Sequence, residues 1–196
     1  MLPTFLKKVS GASASGSPLR AAELHRLALR ELGAGLHALG FERTPRSSVA
    51  SWTRPANDRW IVMWLQPSQT SDRFSPGFKF TIEFALSTEP VIGGSGYRER
   101  LPNLLDDEAR EELRRLENTT IAHLPPPARG LYAGFPDETR ERLLAEWQPR
   151  KTPYPRGEDI WFRHANEEDA RKLMAFFQRV LPSAIARFLE SASSAS

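Results

Sequence analysis

The side chains that could ionise, ligate or attack bound what this chain can do. Its four histidines are His25, His37, His123 and His164. His25 and His37 lie twelve residues apart, more than three turns of any helix that holds both, so one helix cannot bring them to one metal. No His-Glu-x-x-His or comparable ligand pair occurs. Cysteine is absent, which removes disulfides, thiolate metal sites and cysteine nucleophiles. Gly93-Gly94-Ser95-Gly96 has the glycines of a phosphate loop but not the Gly-Lys-Ser/Thr that would reach the phosphates. Glu99 stands where the third glycine of a dinucleotide fingerprint belongs. Ser95 is not in a nucleophile elbow, because Tyr97 occupies the required glycine position. The sequence predicts no catalytic residue, no metal site and no cofactor.

Three groups of residues remain. Glu83 shares the polar side of a strand pattern with Lys79 and Thr81; it is a conceivable acid or base, and composition favours a solvated sheet face with a weak ion pair. Trp60 and Trp64 fall on one side of a strand with Val62 between them and Gln66 following. The two indoles would be about 13 Å apart, either as core beneath a helix or as a pocket in which Trp60, Trp64 and Gln66 orient a ligand. The third group is the proline-rich segment Trp147-Gln148-Pro149-Arg150-Lys151-Thr152-Pro153-Tyr154-Pro155-Arg156. Aromatics and arginine in an exposed loop are what binding hot spots share, so Trp147, Arg150, Lys151, Tyr154 and Arg156 are candidate partner-binding residues. The competing reading is a proline-stiffened connection that Trp147 and Tyr154 pin to the body.

These residues need a frame. A chain of 196 residues with 40% apolar and 26% charged residues suits one soluble domain with a proper core. The net charge of +3 comes from 22 arginines and five lysines against 24 acids. It is unevenly placed, at +3 over 1–40, +3 over 41–79, −5 over 80–148 and +2 over 149–164. Such a dipolar surface can steer a charged partner, yet falls short of the basic stripe of a nucleic-acid binder. No run suits a signal peptide or a membrane span, so a cytoplasmic location is expected.

The frame centres on Arg59 to Leu86. Trp60 to Leu65 has no polar position, and Phe78, Phe80, Ile82, Phe84 and Leu86 alternate with Lys79, Thr81, Glu83 and Ala85. The residues between, 66–77, read as a loop. Leu24, Leu27, Ala28, Leu32, Leu36 and Leu39 make a helical stripe ended by Gly40. Gly33 and Gly35 weaken that helix, implying a close neighbour or loose final turns. A strand region over 41–55 turns at Pro55-Ala56-Asn57-Asp58 into the Trp60 strand as a hairpin. A charged helix over about 106–117 would carry Asp106–Arg110 and Glu111–Arg115 pairs, and residues 89–96 a flexible connection. A short helix follows Pro136, a strand covers 159–164, and a last helix capped by Asn166 is expected to kink or restart at Pro182. Residues 1–18 read as a flexible arm, 19–190 as one domain with an enlarged insertion over about 90–150, and 191–196 as a frayed tail. The predicted fold is α+β, a single antiparallel sheet covered by the N-terminal and C-terminal helices.

Leu39-Gly40-Phe41, Trp52, Trp60 to Leu65, Gln66-Pro67-Ser68 and Phe78 to Phe84 resemble a bacterial family known only as a domain of unknown function (the 4304 type). The similarity covers mainly residues 36–88. This chain departs from the family pattern at Glu42, which stands before Arg43. The resemblance implies a small α+β domain with no catalytic residue to carry over, and hints at protein-binding roles in toxin–immunity systems. The leading functional expectation is a non-enzymatic protein-binding module, of the kind a bacterial immunity or regulatory protein would be. A small-ligand site or enzyme at the Trp60/Trp64 face comes second, and nucleic-acid binding third.

Overall fold

The computed structural model describes residues 19–45, 47–68, 77–94, 96–158 and 160–194. The expected N-terminal arm and most of the 66–77 loop lie outside these residues. The elements run α1 (Ala21–Ala38), β1 (Glu42–Arg43), β2 (Ser51–Ala56), β3 (Arg59–Pro67), β4 (Phe78–Ser87), β5 (Gly96–Arg100), α2 (Leu101–Leu104), α3 (Asp107–Ala122), α4 (Asp137–Ala145), β6 (Phe162–His164) and α5 (Glu167–Ser194). All strand pairs in the six-stranded sheet are antiparallel, in the order β1-β2-β3-β4-β5, with β6 also on β4. β5 pairs with residues 83–87 of β4 and β6 with 78–80, so the two short strands share one edge. The fold is α+β as the sequence predicts.

Alternation decides which way each strand faces. Ile61, Met63 and Leu65 of β3 join Phe80, Ile82 and Phe84 of β4 in one core with α1 and α5. Leu24, Leu32 and Leu36 meet Phe177 and Val180 there, the packing that the two longest apolar stripes require. Phe177 touches Phe162 with ring centroids 4.7 Å apart and Phe80 at 6.0 Å. The opposite face carries a smaller cluster of Val62, Trp64 and Ala85, flanked by Trp60 and Val49.

Several expectations need correction. The strand region over 41–55 is two strands, with residues 44–50 between them. The connection over 89–96 ends in β5, which composition hides because Gly96–Arg100 holds one apolar residue, Tyr97. Gly96 has φ 145, and a Cβ there would meet the Leu86 carbonyl oxygen at 1.9 Å. This run is therefore glycine-rich so that the chain can come back against β4. Nothing lies within 4 Å of a Cβ added at Gly33 or Gly35, so no close neighbour explains those glycines.

α5 runs unbroken through Pro182. Val180, Leu181, Ala184 and Ile185 are all buried on either side of it, and that packing offsets the missing hydrogen bond. The helix continues to Ser194 with Ala192 buried, so the frayed tail does not begin at 191. No helix among the described residues is long and apolar enough to cross a membrane.

Candidate functional site

The most chemically dense region is built by α3. Asp106 caps the helix by accepting from the Ala109 amide at 2.8 Å. That bond, then the Arg187 guanidinium, holds its carboxyl below the usual range. The helix presents Arg110, Arg114, Glu117 and Asn118 at spacings that return to one face. Arg110 is almost fully buried and donates to the carbonyls of Leu105 (3.1 Å), Tyr154 (3.3 Å) and Pro155 (3.2 Å). The expected Asp106–Arg110 pairing gives way to these bonds, because Asp106 is taken by the cap and by Arg187 at 2.9 Å. Arg114 donates to the Arg150 carbonyl at 2.9 Å, and Asn118 bonds both the amide and the carbonyl of Arg150. The expected Glu111–Arg115 bond is present at 3.1 Å. Arg114 binds Glu111 as well and holds its pKa at about 2.

Glu117 completes this face and accepts a short hydrogen bond from the Tyr154 hydroxyl. It is 1% exposed, and its Oε1 has no partner among the described residues. Burial pushes its pKa up to about 7, against the opposing pull of Arg163, the Tyr154 hydroxyl, Arg150 and Lys79. Burial and the facing carboxylate both push the Tyr154 phenol up, so Tyr154 remains a donor.

Beside this pair opens a cleft of about 480 Å³, whose lining includes Lys79, Arg142, Glu146, Arg150, Glu158 and Arg163. Lys79 and Arg163 are register partners across β4 and β6. Lys79 Nζ and Arg163 Nη2 both donate to Oε2 of Glu146, at 2.8 and 3.1 Å. Arg150 binds Glu158 through two bonds of 3.1 Å and lies 3.8 Å from the Tyr154 ring centroid. Four cations against two carboxylates line the space, with Glu117 behind them near half-protonation at neutral pH. A cleft of this kind can hold an anion and can exchange a proton.

The proline-rich loop therefore forms part of the cleft wall. Tyr154 is buried, Arg150 turns inward, and Trp147 Nε1 donates to the Tyr132 hydroxyl at 2.7 Å. Lys151 and Arg156 face solvent. The Arg156 side chain is 74% exposed, with a 3.5 Å contact to Asp107. On the other part of the sheet face, Trp64 is buried under the Arg98 guanidinium at 5.0 Å, and Trp60 is half-buried. Gln66 lines a shallow groove with Glu83, Arg98, Glu99, Arg100 and Asn103, and neither tryptophan lines that groove. Glu83 is not on a solvated face paired with Lys79. It is buried and receives Arg98 at 2.9 Å and Arg100 at 3.2 Å from β5.

The histidines are dispersed. His25 Nδ1 accepts from the Ala50 amide at 3.2 Å, His123 meets Asp169 at 3.1 Å, and His164 is buried between Phe78 and Phe80. Among the described residues, no group of three His, Cys, Asp or Glu side chains is placed to hold a metal. Sequence reasoning misses Glu117, Lys79, Glu146 and Arg163. One signal was present for Glu117: it lies four residues after Leu113 and four before Ile121, so an acid occupies the apolar stripe of α3.

No protein-family model matches the chain, and no curated protein or solved structure does.

Proposed function

We propose that this protein is a stoichiometric binder of a compact acidic molecule, received in the cleft between α3, α4 and the β4–β6 edge. The observation that carries the reading is the convergence of Lys79, Arg150 and Arg163 beside the buried Glu117–Tyr154 pair. Basic side chains outnumber acidic ones along the wall, and the volume of about 480 Å³ falls within the ~300–1,000 Å³ range of small-molecule sites. Arginine and lysine held this far from solvent act on an anion with little screening. Thermal-shift and calorimetric titrations with small carboxylates and phosphate esters, against sodium chloride at matched ionic strength, test it. Saturable stabilisation by anions, lost in Arg163→Gln, is the expected result. Equal response to salt and to every anion overturns the reading.

A second reading places an acidic protein partner on the outer side of the same loop. It is favoured by Lys151 and Arg156, whose charged ends face solvent while the aromatics beside them are pinned inward. Such rim charges act mainly on association rate. With the partner identified by co-purification and mass spectrometry, Arg156→Glu lowers affinity and leaves folding intact. Unchanged affinity in both Arg156→Glu and Lys151→Glu removes this reading.

A further inference from the structure

The antiparallel register sets Lys79 directly opposite Arg163. Like charges facing each other across a ladder repel, and these two side chains are only 16% and 12% exposed, so water screens them poorly. Glu146 answers them incompletely. Both cations reach the same oxygen, Oε2, and Arg163 Nη1 takes the Glu146 backbone carbonyl at 2.9 Å. Arg163 Nε is buried and has no partner among the described residues. The Nε and Nη2 edge of a guanidinium can grip two oxygens of one anion, so this site has a donor that Glu146 does not use. One carboxylate against two cations also leaves a positive charge over whenever the nearby Glu117 holds its proton.

Building on the cleft reading, we infer that the Lys79–Arg163 pair is a receptor for a phosphomonoester dianion, occupied by Glu146 as an internal stand-in that the ligand displaces, releasing α4. A phosphoryl group offers three terminal oxygens, enough for Lys79 Nζ together with Nε and Nη2 of Arg163. A monocarboxylate ligand would exchange one single charge for another and would compete against a tethered rival whose effective concentration is of order millimolar. A dianion brings the second charge that Glu146 lacks.

The element to be released is weakly held. None of the nine residues of α4 is buried, and Leu144 is 40% exposed. Glu146, at the end of the helix, ties it to the sheet, and Trp147 ties the next residue to Tyr132. Glu117 suits the exchange as well: a second negative charge nearby raises its affinity for a proton, so the cleft can take up a proton with the dianion instead of repelling it.

The experiment is isothermal titration of the full chain at pH 7.5 with phenyl phosphate, phenyl sulfate and benzoate, for wild type, Glu146→Gln, Arg163→Gln and Lys79→Gln. Hydrogen exchange over 137–147 is followed with and without phenyl phosphate. Phenyl phosphate is expected to bind about tenfold tighter than either monoanion, the worth of one further charge-assisted bond. Glu146→Gln should tighten phosphate binding severalfold, Arg163→Gln should abolish it, and exchange over 137–147 should rise on saturation. Equal affinity for the three compounds, an unchanged affinity in Glu146→Gln, or unchanged exchange overturns the inference while leaving an anion cleft intact. Binding that survives both Arg163→Gln and Lys79→Gln, or no binding of any anion, overturns the cleft reading itself. The second loss variant also covers the case in which Arg163→Gln does not fold.

Discussion

Replacing Glu117 by glutamine should make the protein more stable at neutral and alkaline pH. The carboxyl has a folded-state pKa of about 7 against an ordinary value of 4.5, and its largest cause is burial. The folded state therefore holds a proton that the unfolded chain releases between pH 4.5 and 7. By linkage the contribution of this group is fully favourable below pH 4.5 and is lost as pH rises through 7. A difference of about 2.5 units at ~1.4 kcal/mol each gives a cost of roughly 3 kcal/mol above pH 7. Glutamine is neutral at every pH, fits the same volume, and keeps an oxygen to accept from Tyr154. The cost above pH 7 already includes the bond from Tyr154, which favours the ionised form.

The assay is urea denaturation of wild type and Glu117→Gln at pH 4.5, 6, 7 and 8.5. The variant is expected to gain about 3 kcal/mol at pH 8.5 and to match wild type within about 1 kcal/mol at pH 4.5. Groups common to both proteins cancel in the difference, so its pH dependence isolates this one carboxyl. A difference that does not change with pH, or a variant less stable at pH 8.5, refutes the assignment of a buried acid with a raised pKa.

Other substitutions test other parts of the argument. His164 is buried with Nδ1 unpartnered, and burial lowers its pKa to about 4, so His164→Phe should remove an acid-side loss of roughly 3 kcal/mol between pH 6.5 and 4, read by denaturation across that range. Gly35→Ala should raise stability by up to about 1 kcal/mol, because the glycine is exposed in the last turn of α1 with nothing within 4 Å of the added methyl; a loss would show a constraint outside the packing described. Phe177→Ala should cost about 3–5 kcal/mol by thermal or chemical unfolding, since it removes the ring joining α5 to Phe80 and Phe162.

The sheet and its covering helices were legible because their residues obey strong periods: alternation in β4, an unbroken apolar run in β3, and stripes in α1 and α5. β5 was not, and one failure explains another. Its sequence Gly-Tyr-Arg-Glu-Arg holds no alternating apolar set, since its outward residues are the arginines that satisfy Glu83. Without β5, Glu83 reads as solvated and its nearest cation in sequence, Lys79, as its partner. The cleft was hidden for a related reason. Lys79, Glu117, Glu146 and Arg163 come from four separate elements, and only the β4–β6 register and the seating of α3 bring them together. The proline-rich loop was legible as aromatic and basic. Its direction was not, because Arg110, Arg114 and Asn118 act on its backbone rather than on its side chains.

Glu117 and His164 also bear on each other through the pH dependence of stability, each shifted chiefly by its own burial. Glu117 makes stability fall as pH rises from 4.5 to 7; His164 makes it rise from pH 4 to 6.5. The two shifts run in opposite senses over overlapping windows, so their slopes oppose each other in the wild type. The chain thus carries two costly buried ionisable groups whose pH dependences offset one another. Each single substitution removes one side of the balance. Glu117→Gln leaves the histidine slope exposed, and stability should then climb with pH. His164→Phe leaves the carboxyl slope exposed, and stability should decline with pH. The double variant should return to a near-flat profile while being more stable than wild type at both ends of the range. Stability differences from wild type that change in the same direction with pH for the two single variants would show that one of these groups is not buried in the state described.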